Sequence, residues 1–237
     1  MNRSISIVIP AYNEEKRLPA TLDKIREYLQ ASRWDFAEIV VVDDGSRDGT
    51  VRVARQAGVR VIGNPGNRGK GYAVKHGMLE ARGEHVLYTD ADLSSPIGEL
   101  EKLWDAAARA GAQVAIGSRA VDRSLVGVHQ PRARELVGRL FNLVMRMVTG
   151  LPFRDTQCGF KLFDAGAAKR IFPLQLLDGF GFDVEVLYIA RKLGCKSIEV
   201  PVRWDNVAGT KVSLLLGARA YLDLLKVRWY GLQGRYR

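Results

Sequence analysis

The chain has 237 residues, 47% of them hydrophobic, which is enough to bury one sizeable core and excludes a disordered chain. Lys and Arg number 36 against 26 for Asp and Glu, so the formal net charge is +10 and the pI is about 9.8. This excess favours an anionic partner, such as nucleic acid, a phospholipid surface or a phosphorylated substrate. No apolar stretch approaches the roughly 18 residues of a membrane span, so we expect any membrane contact to be peripheral.

Cysteine usage and the amino-terminal segment indicate the compartment. The two cysteines, Cys158 and Cys195, provide neither a metal-ligand spacing nor a disulfide framework, so a reducing compartment is expected. Residues 1–5 run directly into a strand pattern, without the long apolar stretch and cleavage site of a signal peptide. Both features predict a cytoplasmic protein.

Segments typical of strands and of helices alternate along the first half of the chain. Apolar runs and helical spacing predict strands at 5–9, 39–42, 59–62, 86–89 and 114–116, and helices at 18–29, 50–57, 72–81 and 100–110. This alternation predicts an α/β fold, with a mostly parallel central sheet flanked by helices on both faces. Ligands of such sheets bind at the carboxyl ends of the strands.

Polar clusters follow directly after four of the predicted strands. They are Tyr12-Asn13-Glu14, Asp43-Asp44-Gly45-Ser46, Asp90-Ala91-Asp92 and Gly117-Ser118-Arg119. Each cluster alone is a plausible loop, but parallel strands would bring all four to one edge of the sheet, and their coincidence predicts a ligand site. A dinucleotide-binding Rossmann domain is not favoured, because Pro10 and Ala11 follow the first strand where a glycine fingerprint would lie.

Asp90 and Asp92 are the most informative pair in these clusters. Because side chains alternate along extended backbone, the two carboxylates would project to the same side from the end of the strand. That arrangement suits a divalent cation such as Mg²⁺, which takes oxygen ligands and completes its shell with water and phosphate oxygens. A surface turn is the alternative, since Ser94, Ser95 and Pro96 follow.

Two basic amphipathic helices are predicted in the carboxyl-terminal half, at 132–149 and 214–230. The apolar stripe of the first contains Leu136, Leu140, Val144 and Val148, with Phe141 and Met145 beside it. The second carries Trp229 and Tyr230, residue types that favour interfaces between water and lipid. Helix 132–149 could lie in a membrane interface, but a core helix with solvated arginines has the same periodicity, and both interpretations stay open.

Taken in chain order, these motifs resemble those of the family 2 glycosyltransferases of GT-A fold. The matching segments are Pro10-Ala11-Tyr12-Asn13-Glu14, Val42-Asp43-Asp44-Gly45-Ser46, Gly69-Lys70-Gly71, Asp90-Ala91-Asp92 and Gly117-Ser118-Arg119. The segments that resemble the branch of polyprenyl-phosphate glycosyltransferases containing the dolichyl-phosphate β-glucosyltransferases are 154–161, 182–185, 199–202 and 209–211. The resemblance spans nearly the whole chain. It implies a GT-A domain over 1–211, followed by a membrane-proximal amphipathic segment over 212–237.

The resemblance also implies roles for individual residues. The implied nucleotide-binding residues are Pro10, Tyr12, Glu14, Val42, Asp44, Lys70, Asp90 and Ala91. Glu14 would accept hydrogen bonds from ribose hydroxyls and Asp44 from a base N–H. Asp90 and Asp92 would hold Mg²⁺ or Mn²⁺ on the donor diphosphate. The implied acceptor-phosphate contacts are Arg119, Arg134 and Lys211, and the implied catalytic residues are Asp92, Arg119, Asp155 and Asp183.

The implied activity is inverting transfer of a hexose to a polyprenyl or dolichyl phosphate, with UDP-glucose as the favoured donor. Such an acceptor is mostly dianionic at neutral pH, so no general base is required. Asp155 and Asp183 would then orient other groups rather than abstract a proton. The basic helices would attach the protein peripherally to the cytoplasmic face of a membrane, where anionic lipids attract Lys and Arg.

Three alternative functions stay open. The first is a GDP-mannose-dependent polyprenyl-phosphate mannosyltransferase. The second is a soluble transferase to a saccharide hydroxyl, for which Asp155 or Asp183 would serve as the base. The third is a nucleic-acid-binding module, which would account for the positive charge but not for the clustered aspartates. Because no nucleic-acid-binding motif is visible, we expect no nucleic acid partner.

Overall fold

The computed structural model describes residues 3–128, 132–207 and 214–237, excepting the side chains of 132–135, 139 and 214–220, and within these ranges nine strands and eight α-helices occur. The strands are β1 (Ser4–Ala11), β2 (Phe36–Asp43), β3 (Arg60–Gly63), β4 (His85–Thr89), β5 (Val114–Ser118), β6 (Val126–Val128), β7 (Phe160–Asp164), β8 (Ser197–Pro201) and β9 (Trp204–Asp205). The α-helices are α1 (Leu18–Ala31), α2 (Thr50–Gln56), α3 (Lys70–Glu80), α4 (Leu100–Ala110), α5 (Arg132–Thr149), α6 (Ala165–Ile171), α7 (Phe182–Lys192) and α8 (Leu214–Leu232).

A seven-stranded sheet in the order β3-β2-β1-β4-β7-β5-β8 forms the centre of the fold. Its neighbouring strands are parallel, except that β7 runs antiparallel to both β4 and β5. The predicted α/β fold with a mostly parallel sheet is therefore confirmed. Strands β6 and β9 pair separately in a two-stranded sheet. Because β1, β2, β4 and β5 share one direction, the polar clusters that follow them lie at one edge of the sheet.

The central strands are buried on both faces. On β1, Val8 belongs to one apolar cluster, whereas Ile5, Ile7 and Ile9 belong to the other. Helices α1 and α4 contribute to the second cluster, and α3, α6 and α7 contribute to the first. Burial on two faces explains why the strand sequences are continuous apolar runs instead of alternating polar and apolar residues.

Helices α5 and α8 contact each other and add their inner faces to the core. Phe141 and Tyr221 pack edge to face, with ring centroids 5.2 Å apart, and Met145 is fully buried. Of the apolar residues predicted for α5, Leu136 and Leu140 of the stripe are exposed. Phe141 and Met145, which lie beside the stripe, are the ones that point into the core. Among the described residues, none of the helices is both long and apolar enough to span a bilayer.

The sequence pattern predicts neither the antiparallel insertion of β7 between β4 and β5, nor helix α6, nor the pairing of β6 with β9. Strand direction depends on contacts between distant segments, which no local pattern records. Helix α6 begins with Ala165 and Gly166, small residues that give little periodic apolar signal. Its cap is Asp164, whose side chain accepts a hydrogen bond from the main-chain N–H of Ala167.

Candidate functional site

The loops after β1 and β2 are joined by hydrogen bonds. The main-chain N–H of Asn13 donates to Ser46 Oγ over 2.9 Å, and that of Glu14 donates to Thr50 Oγ1 over 2.8 Å. Asn13 has a φ of +54°, in the left-handed region that Asn tolerates better than most residues. These contacts fix the loop that carries Tyr12 at the carboxyl edge of the sheet.

Glu14 is buried and forms an ion pair with Arg17, which lies just before α1. Arg17 donates to both carboxylate oxygens of Glu14, from Nε and from Nη2, each over 2.7 Å. The hydrogen bond to Glu14, reinforced by the charges of Asp92 and Asp90, raises the pKa of Arg17 against the effect of burial. Arg17 is thus a cation of the site that the sequence reasoning missed. Its position three residues after Glu14 was the available signal.

Asp44 organises the loop between β3 and α3. Its Oδ1 accepts hydrogen bonds from Asn64 Nδ2, over 2.8 Å, and from the main-chain N–H of Arg68, over 3.0 Å. Its Oδ2 accepts from the N–H of Gly69 over 2.8 Å. Gly69 has a φ of +110° and directly precedes α3. Asp44 therefore fixes the start of α3, a role separate from its predicted contact with a base.

Three other predicted nucleotide-binding residues lie at the ends of strands. Pro10 on β1 pairs with Val42 on β2, and the Val42 side chain is fully buried. Ala91 is also buried, and its carbonyl accepts a hydrogen bond from Thr21 Oγ1 over 2.7 Å. Val42 as a whole residue has no exposed surface, so Val42 and Ala91 pack at the edge of the sheet, and their predicted contacts with a nucleotide stay predictions.

The segment that carries Asp90 and Asp92 is a turn. Strand β4 ends at Thr89, and the N–H of Leu93 donates to the Asp90 carbonyl over 3.1 Å, with Leu93 at a φ of +47°. The prediction that the two carboxylates project from one side of an extended segment is therefore wrong. The pairing of β4 with β7 ends where Thr89 meets Phe160; beyond it the N–H of Asp90 still donates to the Gly159 carbonyl, and the chain then turns at 90–93.

Asp90 lies between Lys70 and Gly159. Lys70 Nζ is 2.7 Å from Asp90 Oδ1. Burial opposes the positive charge of Lys70, but the carboxylates of Asp90 and Asp183 outweigh it and raise the pKa of Lys70. On the other side, a Cβ added to Gly159 would lie only 2.0 Å from Asp90 Oδ2. Glycine at position 159 therefore leaves the space that the Asp90 carboxylate occupies.

Asp90 and Asp92 are the residues that could hold a metal ion. Across the part of the chain that the structure describes, no group of three or more His, Cys, Asp or Glu side chains could bind one. The Asp90 side chain is 34% exposed, so its carboxylate is accessible. Two carboxylates fit Mg²⁺, which commonly binds one or two protein carboxylates together with substrate phosphates. The residues present therefore fit a divalent ion that is shared with a diphosphate.

Arg119 and Asp155 form a bidentate ion pair beside this acidic turn. Arg119 Nε and Nη2 lie 2.7 and 2.9 Å from the two oxygens of Asp155, and the guanidinium stacks over the Trp204 ring. Burial favours the neutral form of Asp155, but Arg119 outweighs it and lowers the pKa of Asp155 below its ordinary value of 3.8. Asp155 is therefore an ionised anchor for Arg119.

Glu199 on β8 supports this pair. Its Oε1 accepts hydrogen bonds from Ser118 Oγ, over 2.7 Å, and from the N–H of Asp155, over 2.8 Å. Its Oε2 accepts from the N–H of Arg154 over 2.9 Å. Glu199 thus joins the 154–155 main chain to the end of β5. Glu199 lies in the segment 199–202 that carries part of the resemblance, but the sequence indicates no role for it. Strand register decides which residues its side chain contacts.

Asp183, the second predicted catalytic carboxylate outside the acidic turn, is almost completely buried. It accepts hydrogen bonds from Tyr88 Oη, over 2.9 Å, and from Lys161 Nζ. Arg134 lies in α5, but its side chain is not described, and Lys211 lies outside the described residues. The structure places the other predicted site residues at or beneath the carboxyl edge of the sheet, and the roles of all of them, like those of Arg134 and Lys211, stay predictions.

Solved structures of other proteins share this fold. Glucosyl-3-phosphoglycerate synthase from Mycobacterium tuberculosis, in complex with Mn²⁺ and UDP-glucose, superposes with a TM-score of 0.69 at 22% identity, over 96% of this chain and 79% of that chain. Mannosyl-3-phosphoglycerate synthase from Rubrobacter xylanophilus gives a TM-score of 0.71 at 22% identity, over 98% and 75%. These likenesses confirm the predicted GT-A fold.

Sequence comparison gives the family. Residues 6–172 match the model of glycosyl transferase family 2, and the chain belongs to this family. A dolichyl-phosphate beta-glucosyltransferase of Drosophila melanogaster is 38% identical over 225 residues, which cover 88% of this chain and 69% of that protein. The corresponding human protein is 36% identical over 256 residues, which cover 99% and 78%. The predicted family and the glycosyltransferase class are thereby confirmed.

The Arg119–Asp155 pair predicts an acid-sensitive part of the stability. Because the pKa of Asp155 is lowered in the folded state, the pair stabilises the fold above pH 3.8, and this stabilisation is lost as the pH falls below that value. Asp155→Asn should lower the free energy of unfolding at pH 7 by roughly 1–3 kcal/mol. The free energy of unfolding of this variant should also decline less than that of the wild type as the pH falls below 3.8.

Urea unfolding at a series of pH values, followed by circular dichroism, measures this effect. Asp23→Asn, which removes an exposed carboxylate that pairs with Arg26, is the control and should change the stability little. An acid decline in Asp155→Asn as steep as in the wild type would contradict the assignment.

Gly159→Ala should move the Asp90 carboxylate. The added methyl group would overlap Asp90 Oδ2, so the carboxylate must rotate or shift while the fold is retained. We expect glycosyl transfer to fall at least roughly tenfold, which corresponds to about 1.4 kcal/mol. Gly98→Ala is the matched control, because a Cβ at Gly98 meets open space. Wild-type activity in Gly159→Ala would show that the position of Asp90 does not matter.

Proposed function

We propose that this protein transfers glucose from UDP-glucose to dolichyl phosphate or another polyprenyl phosphate, with inversion at the anomeric carbon. The relatives at 36–38% identity are dolichyl-phosphate beta-glucosyltransferases. The structural observation that carries the proposal is the pairing of both candidate base carboxylates. Asp155 is held by Arg119 and Asp183 by Lys161, so neither is available to take a proton.

This pairing favours a phosphate acceptor over a saccharide hydroxyl. A hydroxyl nucleophile must lose its proton in the reaction and needs a base within hydrogen-bond reach. A phosphate monoester has a second pKa near 6 and is largely dianionic at neutral pH, so it arrives deprotonated. A site whose two candidate base carboxylates, Asp155 and Asp183, are both paired with cations suits the second nucleophile.

The donor is proposed to bind across the loops after β1, β2 and β4. Asp90 and Asp92 would hold Mg²⁺ or Mn²⁺, which neutralises charge that develops on the departing nucleoside diphosphate. Lys70, already beside Asp90, would contact the diphosphate. Glu14 and Asp44 would bind the ribose and the base. Glu14, Asp44, Lys70 and Asp90 are each oriented by a contact described above, and Asp92 Oδ1 accepts a hydrogen bond from the N–H of Ser94 over 3.0 Å. The site is therefore preorganised for the charge of the donor.

Arg119 is the proposed contact to the acceptor phosphate. Two of its nitrogens are held by Asp155, and a guanidinium has five N–H donors, so further donors remain for phosphate oxygens. The planar fork of Arg suits a phosphate monoester better than a Lys ammonium. Arg134 and Lys211 are proposed to add to this binding site. Asp155 then acts on the phosphate only through Arg119.

A membrane surface is the proposed source of the lipid acceptor. We call the exposed apolar residues of α5 and α8 the outer apolar face; they are Leu136, Val137, Leu140, Leu143, Met147, Leu222, Leu225, Trp229 and Leu232. Exposed basic residues adjoin them, including Arg146, Lys226 and Arg228. Apolar side chains beside cations fit the interface of an anionic membrane. We propose peripheral binding at a cytoplasmic face, with 212–237 as the membrane-proximal segment.

Purified protein should transfer labelled glucose from UDP-glucose to a polyprenyl phosphate in the presence of Mg²⁺. EDTA and Asp92→Asn should each abolish the label in the lipid phase. Transfer from GDP-mannose instead would replace glucose by mannose in the proposal. Transfer to a saccharide hydroxyl but not to the lipid phosphate would overturn the proposed acceptor.

Binding to vesicles that contain anionic phosphatidylglycerol tests the membrane proposal. Burying an apolar side chain contributes on the order of 1.5–3 kcal/mol, so Leu140→Glu combined with Trp229→Glu should reduce the sedimented fraction at least tenfold. Leu79→Glu on α3, an exposed leucine outside the outer apolar face, is the control. Failure of the wild type to sediment at low salt would contradict membrane docking.

A further inference from the structure

A completely buried lysine lies next to the proposed metal site. Lys161 is on β7, the antiparallel strand inside the sheet, where it pairs with Tyr88 of β4 and Ile116 of β5. Its side chain has no exposed surface. Removing an ammonium group from water is costly, so it requires an ionic partner and hydrogen bonds. Both are present: Lys161 Nζ donates to Asp183 Oδ1 and to the carbonyl of Cys158, the latter over 2.6 Å.

The carbonyl contact connects Lys161 to Asp90. Cys158 directly precedes Gly159, and the Gly159 carbonyl accepts a hydrogen bond from the main-chain N–H of Asp90 over 3.2 Å. The Cα of Gly159 faces the Asp90 carboxylate so closely that an added Cβ would overlap it. Lys161 therefore holds the main chain at 158–159 through its hydrogen bond to the Cys158 carbonyl. Gly159 in turn contacts both the main chain and the side chain of Asp90.

The same lysine belongs to one of two neighbouring pairs of opposite charges. Tyr88 donates to Asp183, and its ring centroid lies 5.2 Å from Lys161 Nζ and 5.6 Å from Lys70 Nζ. Asp183 also attracts Lys70 electrostatically. Lys161 pairs with Asp183, and Lys70 pairs with Asp90. Both ammonium groups thus lie within 6 Å of the Tyr88 ring centroid, and the two ion pairs are neighbours.

We propose that Lys161 is a positioning residue, which sets the orientation of the Asp90 carboxylate through the main chain at Cys158 and Gly159. The inference rests on the proposed function, since Asp90 is taken to be a metal ligand. Because its side chain has no exposed surface, we expect Lys161 to touch neither donor nor acceptor. Its effect is therefore on the affinity for the divalent ion, and partners that orient metal ligands typically change this affinity roughly 10–100-fold when mutated.

The test is the dissociation constant of Mn²⁺ in the presence of UDP, measured from the free Mn²⁺ signal in electron paramagnetic resonance. Lys161→Met leaves Asp183 as an unpaired buried charge and lowers stability for that reason alone. Lys161→Met combined with Asp183→Asn removes both charges. This double variant should be folded and bind Mn²⁺ at least tenfold more weakly than the wild type, because the Cys158 carbonyl has lost its donor.

Glu185→Gln is the matched control, because Glu185 is another buried carboxylate of α7 and its partners are the main chain of Leu176 and Leu177 and the hydroxyl of Tyr236. This control should bind Mn²⁺ as the wild type does. Wild-type affinity in the double variant would overturn the inference while leaving the metal site intact. Equal weakening in Glu185→Gln would also overturn it, since the effect would not be specific to Lys161.

Asp92→Asn separates failure of the inference from failure of the proposed function. If the wild type binds Mn²⁺ and Asp92→Asn does not, the metal site stands and the double variant decides the role of Lys161. If the wild type binds no more Mn²⁺ than Asp92→Asn, the metal site at the acidic turn and the inference are both overturned.

Discussion

The pairing of β7 with both β4 and β5 is the constraint on which the site depends. This one antiparallel strand opens the parallel sheet between the two strands whose ends carry the acidic turn and Arg119. The residues before β7 must then cross the carboxyl edge of the sheet, which brings Asp155 to Arg119 and Gly159 to Asp90. The segment before β7 therefore connects the acidic turn, which is proposed to bind the donor, with Arg119, the proposed contact to the acceptor.

Charge pairing organises the site even though the chain as a whole is strongly basic. Glu14 pairs with Arg17, Asp90 with Lys70, and Asp155 with Arg119, while Lys161 and Asp183 pair beneath them. Charges that ion pairs already hold in place reorganise little when a charged substrate binds. Such preorganised groups usually make the largest contribution to stabilising the charge that develops in a transition state. Two of these ion pairs occupy Asp155 and Asp183, the carboxylates that could otherwise act as bases. The site therefore favours a nucleophile that is already an anion.

The helices that carry the outer apolar face also contribute buried residues to the core on which the site is built. On α8, Leu224 and Val227 are buried in the main apolar cluster, whereas Leu225 and Trp229 are exposed. Tyr236, beyond the end of α8, donates to Glu185 on α7, and Glu185 in turn holds the loop before that helix. The proposed membrane contact is therefore rigidly connected to the helix that carries Asp183, which suits a soluble donor and a lipid acceptor meeting at one edge.

Local sequence patterns predict the class of fold and place the candidate site at one edge of the sheet. Strands as apolar as 39–42, which alternate with amphipathic helices such as 100–110, leave few architectures other than a parallel α/β sheet, and parallel strands place their terminal loops at one edge. Local chemistry was therefore sufficient to identify Asp90, Asp92 and Arg119 as parts of one site. It also indicated two amphipathic helices, whose bounds agree closely with α5 and α8.

Tertiary structure alone decided the direction of β7 and the partners of each charge. The antiparallel insertion depends on contacts between segments about 45 to 80 residues apart in the chain, which no local pattern records. The same long-range register selects Lys161 for Asp183 and Glu199 for the main chain of Asp155. Periodicity could not separate the two faces of α5, because an apolar residue has the same spacing whether it meets the core or remains exposed. Burial, strand register and ion pairing are properties of the assembled sheet, and only the assembled sheet could reveal them.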